Sequence, residues 1–188
     1  MEFLSTLWLP ILVAAVLVFV VSSVMHMFLP IHKSDHATLP DEDGLLAAMR
    51  ERSIPPGSYM FPFGCMEDMK KPEMAEKYAR GPVGMMVVMP NGMPQIGKSL
   101  VQWFGFTILI GACVAYVADH ALVAGEEYLK VFQITGSVAF LGYGLPALQD
   151  SIWKGQRLGV SLKYVLDGLV YALATAGAFA WLWPAAAA

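Results

Sequence analysis

Long apolar stretches alternate with polar segments along this chain, and the apolar stretches have the length of membrane-spanning helices. Phe3 to Leu29 contains no Asp, Glu, Lys or Arg. At about 1.5 Å of rise per residue it is long enough to cross roughly 30 Å of hydrocarbon. With three further apolar stretches, the pattern predicts an all-α membrane protein with four transmembrane helices, at about 3–29, 100–122, 131–149 and 164–183.

The polar segments differ greatly in length. The links after the second and third helices are short, which makes consecutive helices antiparallel neighbours. The segment 31–98, between the first two helices, is long and predicted to be irregular, within a single membrane domain spanning 1–188. Its local patterns predict a short helix after Pro40, an extended stretch at Tyr59–Gly64, helical turns at Glu73–Arg80 and a strand at Val83–Pro90 that enters a hairpin turn at Asn91-Gly92.

The distribution of Lys and Arg predicts the orientation. Eight of these residues lie in the segment 31–98 and three lie in the link 150–163, whereas the opposite side has only Lys130. Because cytoplasmic loops carry the excess of Lys and Arg, the long polar segment is expected in the cytoplasm. The chain is therefore expected in the cell inner membrane as a multi-pass protein with both termini on the non-cytoplasmic side.

Composition narrows the classes of partner. The chain is 57% hydrophobic and 14% charged, which is too apolar for an ordinary soluble domain. Its net charge of −3 argues against nucleic acid, which would require clustered Lys and Arg. The expected partners are the lipid bilayer and other membrane subunits or further copies of the chain.

Polar side chains near the end of the first helix share one face. Ser22, Ser23 and His26 are three or four residues apart, and such a stripe normally faces protein, where it finds hydrogen-bond partners. The alternative is that His26 ligates haem or copper, together with other imidazole and thioether groups nearby. These candidate ligands are Met25, Met27, His32 and His36.

Soft metal ligands also occur within the long polar segment. Cys65, Met66 and Met69 could bind copper(I). However, nine of the twelve methionines fall between Met49 and Met93, and Met is also the flexible filler of apolar surfaces. The competing interpretation is a segment that lies against the bilayer or a partner subunit. The sequence favours no cofactor.

Carboxylates occur at or near the predicted helix ends. Asp119, Asp150 and Asp167 could form a transport path, because ionised groups within a membrane usually face a partner or a water-filled cavity. The alternative is solvation at the membrane interface, with Lys163 pairing with Asp167 one turn further along the predicted fourth helix.

Small residues recur at helical spacing on the second and third helices. Such faces allow close approach between helices, and they form interfaces between subunits if they face another chain. They comprise Thr107, Gly111, Ala115 and Asp119 on the second helix and Gly136, Ala139 and Gly142 on the third. Gly144 and Pro146 are expected to loosen or kink the end of the third helix.

The stretch Gly136–Trp183 carries a resemblance to a known family. Leu141-Gly142-Tyr143 leads into Ile152–Leu158 and then into a helix with Asp167 and Tyr171. This order resembles a family of small uncharacterised bacterial four-helix inner-membrane proteins, described as a domain of unknown function. The resemblance implies the four-helix topology and no activity.

Three functions are compatible with these patterns. Phosphate-loop, zinc-protease and nucleophile-elbow motifs are absent from the sequence, so nothing argues for an enzyme. The leading expectation is a non-catalytic accessory or assembly subunit, or a self-associating membrane component. The alternatives are a small transporter or channel that uses intramembrane carboxylates, and a haem- or copper-binding redox component centred on His26.

Overall fold

The computed structural model describes residues 2–186, which are mostly helical. The helices are α1 (Glu2–Thr6), α2 (Trp8–Met27), α3 (Glu42–Glu51), α4 (Pro72–Arg80), α5 (Ile96–Ala121), α6 (Tyr128–Tyr143), α7 (Leu148–Trp153) and α8 (Leu158–Trp181). The strands are β1 (Gly57–Phe61) and β2 (Gly84–Val88). The chain forms two compact units, which we call the helical unit (Met1–Asp35 with Gln95–Ala188) and the inserted unit (His36–Pro94).

Four helical stretches of the helical unit are long and apolar enough to cross a membrane. They are α2, α5, the stretch Tyr128–Trp153 that contains α6 and α7, and α8. Each has between 20 and 26 residues, which corresponds to about 30 Å or more of helix. The predicted set of four candidate transmembrane helices is therefore confirmed.

Three of these helices begin earlier than their apolar patterns predict, and α6 does so by three residues, at Tyr128. Helix α5 begins at Ile96 and includes Lys98, and α8 begins at Leu158, six residues before the predicted start. Hydropathy marks where a helix becomes apolar, whereas the helix itself continues through Lys and Ser residues with adequate helix propensity. The earlier start places Asp167 about 14 Å from the beginning of α8 rather than one turn inside it.

Helix α6 ends as its glycine and proline indicate. The helix stops at Tyr143, a 3-10 turn covers Leu145–Ala147, and α7 follows. Pro146 has no backbone N–H and its ring clashes with the preceding turn, so an α-helix cannot continue unchanged through it. The predicted irregularity at this end of the third membrane helix is confirmed.

Small residues let the helices of the helical unit approach closely. A Cβ atom added to Gly168 of α8 would collide with the backbone of Tyr143 and Gly144. Gly136 of α6 similarly faces Ala176, and Gly111 of α5 faces Ile11. The two predicted small-residue faces thus pack largely inside the bundle, although Asp119 at the end of one of them is exposed.

The inserted unit contains the predicted local elements with one correction. Asp41 caps α3 by accepting a hydrogen bond from the Gly44 N–H, and α4 ends at Arg80 with Gly81, which has φ of +59°, as its C-cap. The predicted hairpin at Asn91-Gly92 is wrong, because β2 pairs with the earlier strand β1 in antiparallel register, with Tyr59 opposite Met86. The stretch after Gly92 offers few strand residues and contains Pro94, whereas Gly57–Phe61 supplies a full partner strand.

Candidate cation site

The end of α2 and the turn that follows it place two histidines against each other. Helix α2 ends at Met27, and a 3-10 turn over Pro30–Ser34 carries the chain back. Pro30 fits the first position of this turn because its fixed φ suits a helical start and its missing N–H is not needed there. As a result the imidazoles of His26 and His32 stack, with centroids 4.3 Å apart and planes within 13°.

A carboxylate of α8 lies beside this pair. The Asp167 side chain is only 2% exposed, and its Oδ2 lies 3.0 Å from His32 Nε2 and 3.8 Å from His26 Nε2. One ligand atom from each of the three residues lies within 4.8 Å of the others. We call His26, His32 and Asp167 the His-His-Asp cluster.

Asp35 and Lys163 form a second layer that holds His32. Asp35 Oδ2 accepts a hydrogen bond from His32 Nδ1 at 2.7 Å, and Asp35 Oδ1 accepts one from Lys163 Nζ at 2.7 Å. The Lys163 hydrogen bond, reinforced by the one from His32, holds the pKa of the Asp35 carboxyl below its ordinary value, although burial acts in the opposite direction. An ionised Asp35 keeps the proton of a neutral His32 on Nδ1 and leaves Nε2 free.

Lys163 has different partners from the predicted one. Its ammonium donates to Ile31 O, Ser34 Oγ and Asp35 Oδ1, and no ion pair joins it to Asp167 within residues 2–186. The predicted pairing of Lys163 with Asp167 is therefore wrong. The turn after α2 brings a carboxylate and a carbonyl to the ammonium, so its hydrogen bonds are already satisfied.

The second histidine is oriented in the same way as the first. His26 Nδ1 lies 3.2 Å from the Ser22 backbone oxygen, to which only a protonated nitrogen can donate. In the neutral tautomers with the proton on Nδ1, both imidazoles direct an unprotonated Nε2 toward Asp167, whose ionised carboxylate also only accepts. In that state three acceptor atoms converge with no donor among them, which is unfavourable unless a cation or a proton lies between them.

Several buried polar atoms of this region have no hydrogen-bond partner in the described part of the chain. They are His32 Nε2, both carboxylate oxygens of Asp167 and the hydroxyl of Tyr171. The 3.0 Å approach of His32 Nε2 to Asp167 thus lacks the direction of a hydrogen bond. Buried groups left unsatisfied in this way commonly mark a site for an ion, a water or a ligand.

A cavity of about 550 Å³ opens beside the cluster. His26, Asp150 and Asp167 line it, and no Lys or Arg belongs to its lining. Three aromatic rings that pack edge to face or tilted form one wall, with centroids 5.7–6.3 Å apart; they belong to Trp103, Tyr143 and Tyr171. The cavity therefore combines an apolar wall with negatively charged side chains.

The predicted polar face of α2 borders this cavity. Ser22 and Ser23 both line it, and both hydroxyls donate to the Phe19 carbonyl. Ser22 Oγ also accepts a hydrogen bond from Trp103 Nε1 at 2.9 Å, which joins α2 to α5. The face thus contacts protein, as the pattern indicates, and His26 extends it to the cluster.

The other candidate ligands near His26 have different surroundings. Met25 is buried beside Val18 and Tyr171 in an apolar cluster, whereas Met27 is 74% exposed. His36 is exposed and belongs to the inserted unit. The stacked histidines do not suit a haem held between them, because two axial imidazoles bind on opposite faces of the macrocycle.

The second predicted metal motif lies on the surface of the inserted unit. The Cys65 thiol donates to Asp68 Oδ2 at 3.1 Å, Met66 is largely exposed and Met69 is also exposed. Cys65 and Cys113 are both free. A copper(I) site at Cys65, Met66 and Met69 stays a prediction.

The three carboxylates of the predicted transport path have separate surroundings. Asp167 is buried and Asp150 is partly exposed, and both line the cavity, although Asp150 also pairs with Lys154 at 2.7 Å. Asp119 is exposed at the other end of α5. The structure thus brings two of the three to one cavity.

The sequence analysis assigned no role in a site to three residues of this region. Asp35 was not recognised, because its partner Lys163 is 128 residues away along the chain. Tyr171 and Thr175 follow Asp167 at steps of four and are buried with it. That spacing is a signal that could have been read, because it places a continuous polar row on one face of α8.

Comparison with known protein families, curated proteins and solved structures finds no match. The resemblance to the four-helix family stays a prediction.

Proposed function

We propose that the protein is a small multi-pass membrane protein that binds a cation at Asp167 and carries it across the membrane. The observation that carries this proposal is the buried carboxylate of Asp167, which has no hydrogen-bond partner among residues 2–186 and lies at the edge of a cavity whose described lining contains no Lys or Arg. A buried carboxylate is costly in a membrane unless a cation, a proton or water compensates it.

The position of the cavity supports entry from one face of the membrane. Its lining comes from the end of α2, the beginning of α5, the end of α6 with the turn and α7 that follow it, and α8 as far as Tyr171. These positions all adjoin the loops that are rich in Lys and Arg, so we place this end at the cytoplasm of the inner membrane, with both termini outside.

Buried polar residues support a route beyond Asp167. Tyr171 and Thr175 continue its row along α8, and both are at least 95% buried. Past them the bundle is closed by small and apolar side chains, among them Ala176 and Phe179. Transport therefore requires a second conformation in which this closed half opens, as in alternating access.

Ion flux into vesicles tests this function. The full chain would be reconstituted in liposomes, and uptake would be followed with a pH dye and a divalent-ion dye under an imposed gradient. We expect flux above that of protein-free liposomes, loss of flux in Asp167→Asn, and unchanged flux in Asp119→Asn, whose side chain is exposed at the far end of α5. Equal flux in the Asp167→Asn variant and the parent protein would overturn the proposal.

An accessory or self-associating role is a second proposal, supported by the surface of the inserted unit. Large apolar side chains are exposed on and near its sheet, including Phe63, Met85 and Val87, and exposed apolar side chains of this kind suit a bilayer or protein contact. In contrast, the small-residue faces are mostly occupied within the helical unit. Purification from native membranes tests this role, which requires a stoichiometric partner or a homo-oligomer.

A further inference from the structure

The geometry points to a divalent transition-metal site formed by His26, His32 and Asp167, with Zn²⁺ as the type of ion that fits. This inference rests on the proposed cation-binding role of Asp167 and names the class of cation. Two imidazoles and one carboxylate are a ligand set that borderline ions such as Zn²⁺ accept. Hard ions such as Mg²⁺ and Ca²⁺ prefer oxygen ligands throughout.

The distances between the ligand atoms suit such an ion. Ligands about 2.0–2.1 Å from a tetrahedral zinc ion lie roughly 3.3 Å from one another. The separations of 3.0 Å and 3.8 Å from Asp167 Oδ2 to the two Nε2 atoms lie on either side of that value. Binding of both imidazoles to one ion requires the His26 ring, whose side chain is 41% exposed, to turn out of its stacked arrangement on His32, because parallel rings cannot aim both Nε2 lone pairs at one point.

The hydrogen bonds around the cluster engage Nδ1 of each histidine and leave Nε2 available to bind a metal ion. Both Nδ1 atoms are engaged, one with the Ser22 carbonyl and one with Asp35. In the neutral rings with the proton on Nδ1, both Nε2 atoms hold a free lone pair, and the His32–Asp35 pair is the carboxylate–histidine arrangement that commonly supports bound zinc. Lys163 fixes Asp35 in turn.

The competing account is an ion pair between a protonated His32 and Asp167. It would satisfy His32 Nε2 with a hydrogen bond to the carboxylate, and yet this contact lacks hydrogen-bond direction. A metal ion removes the conflict, because it accepts electron pairs from all three atoms at once. Its fourth coordination position would remain open, since the cluster supplies only three protein ligands.

Equilibrium binding of Zn²⁺ to the full chain in detergent tests the inference. The protein would be equilibrated with Zn²⁺, separated by gel filtration and analysed for metal by mass spectrometry. We expect about one Zn²⁺ per chain that excess Mg²⁺ does not displace. Substoichiometric Zn²⁺, or displacement by Mg²⁺, would overturn the site.

Matched variants assign the ligands. Asp167→Asn and His32→Gln should lose stoichiometric zinc, whereas His120→Gln, at the exposed end of α5, should retain it. Asp35→Asn should weaken binding by about 10- to 100-fold, because it acts by positioning His32. If the buried variants fail to fold by circular dichroism, His26→Gln replaces them, since its side chain is 41% exposed. Retention of zinc by a folded ligand variant would contradict the assignment.

The zinc site and the proposed transport can be contradicted by different results. Stoichiometric zinc without any ion flux would support the site and overturn the proposed transport. Proton flux that depends on Asp167, without zinc binding, would support transport and overturn the metal site.

Discussion

Contacts at the Nδ1 atoms fix the orientation of the His26 and His32 rings. Each imidazole is held through Nδ1, by a backbone carbonyl in one case and by Asp35 in the other. The opposite nitrogens lie 3.8 Å and 3.0 Å from a carboxylate oxygen of Asp167. The chemistry of the cluster thus depends on its outer hydrogen bonds as much as on its three members.

The hydrogen bond from Trp103 to Ser22 can be tested by substitution. Ser22→Ala leaves the partly buried indole N–H of Trp103 without its acceptor and should destabilise the helical unit by about 1–2 kcal/mol. Unfolding in mixed detergent micelles measures the effect.

Ser23→Ala is the matched control for this change. Within residues 2–186 the Ser23 hydroxyl bonds only to the Phe19 carbonyl of its own helix, so its loss should change stability by less than about 0.5 kcal/mol. Equal effects of the two substitutions would show that the contact between α2 and α5 contributes little.

Elements of this fold are predictable to different degrees. Apolar length alone predicts the four long helices, and Gly144 with Pro146 predicts the break after α6. The start of α8 is not predictable from hydropathy, because the segment before residue 164 is polar and yet helical. The return of His32 onto His26 depends on Lys163, a contact between distant parts of the chain that no local pattern encodes.

The close packing of α6 against α8 can be tested at the glycines of α8. Gly168→Ala should destabilise the helical unit by about 1–3 kcal/mol, because the added methyl group meets the backbone of Gly144. Gly177→Ala on the same helix meets nothing within 4 Å and should be neutral or stabilising by up to about 1 kcal/mol. Thermal unfolding of both variants in detergent makes the comparison, and destabilisation by Gly177→Ala alone would contradict this packing.

The register of the two strands can be tested by cross-linking. Ser58 and Val87 are directly opposed, so Ser58→Cys with Val87→Cys, made in a Cys65→Ser background, should form a disulfide under mild oxidation. Ser58→Cys with Val88→Cys is shifted by one residue and points to opposite faces, so it should cross-link poorly. Mass spectrometry of peptides identifies the product, and preferential linkage of the shifted pair would contradict the register.

At the scale of the whole molecule, the arrangement of four apolar helices fits a multi-pass membrane protein. The candidate cation site lies at the end of the helical unit where its helices join, along the chain, the segments 31–98 and 150–163 that are rich in Lys and Arg. The opposite half of the bundle is closed by small side chains in close contact. Binding from one face is therefore compatible with this conformation, and passage to the other face requires a different one.

Labelling of Cys65 tests the proposed orientation. This thiol is exposed in the inserted unit, so a membrane-impermeant maleimide should modify it in inverted vesicles and leave it unmodified in intact cells. Cys113→Ser is introduced first, so that Cys65 is the remaining thiol. Modification in intact cells would place the inserted unit outside.

The most direct test of the central claim is X-ray absorption at the zinc edge of the loaded protein, which reports the ligands of the ion itself. Our account predicts nitrogen and oxygen ligands at about 2.0–2.1 Å, with the outer-shell scattering of two imidazoles. His26→Gln should reduce that scattering to one imidazole. A spectrum dominated by sulfur ligands, or one without imidazole scattering, would contradict the assignment of the cation to His26, His32 and Asp167.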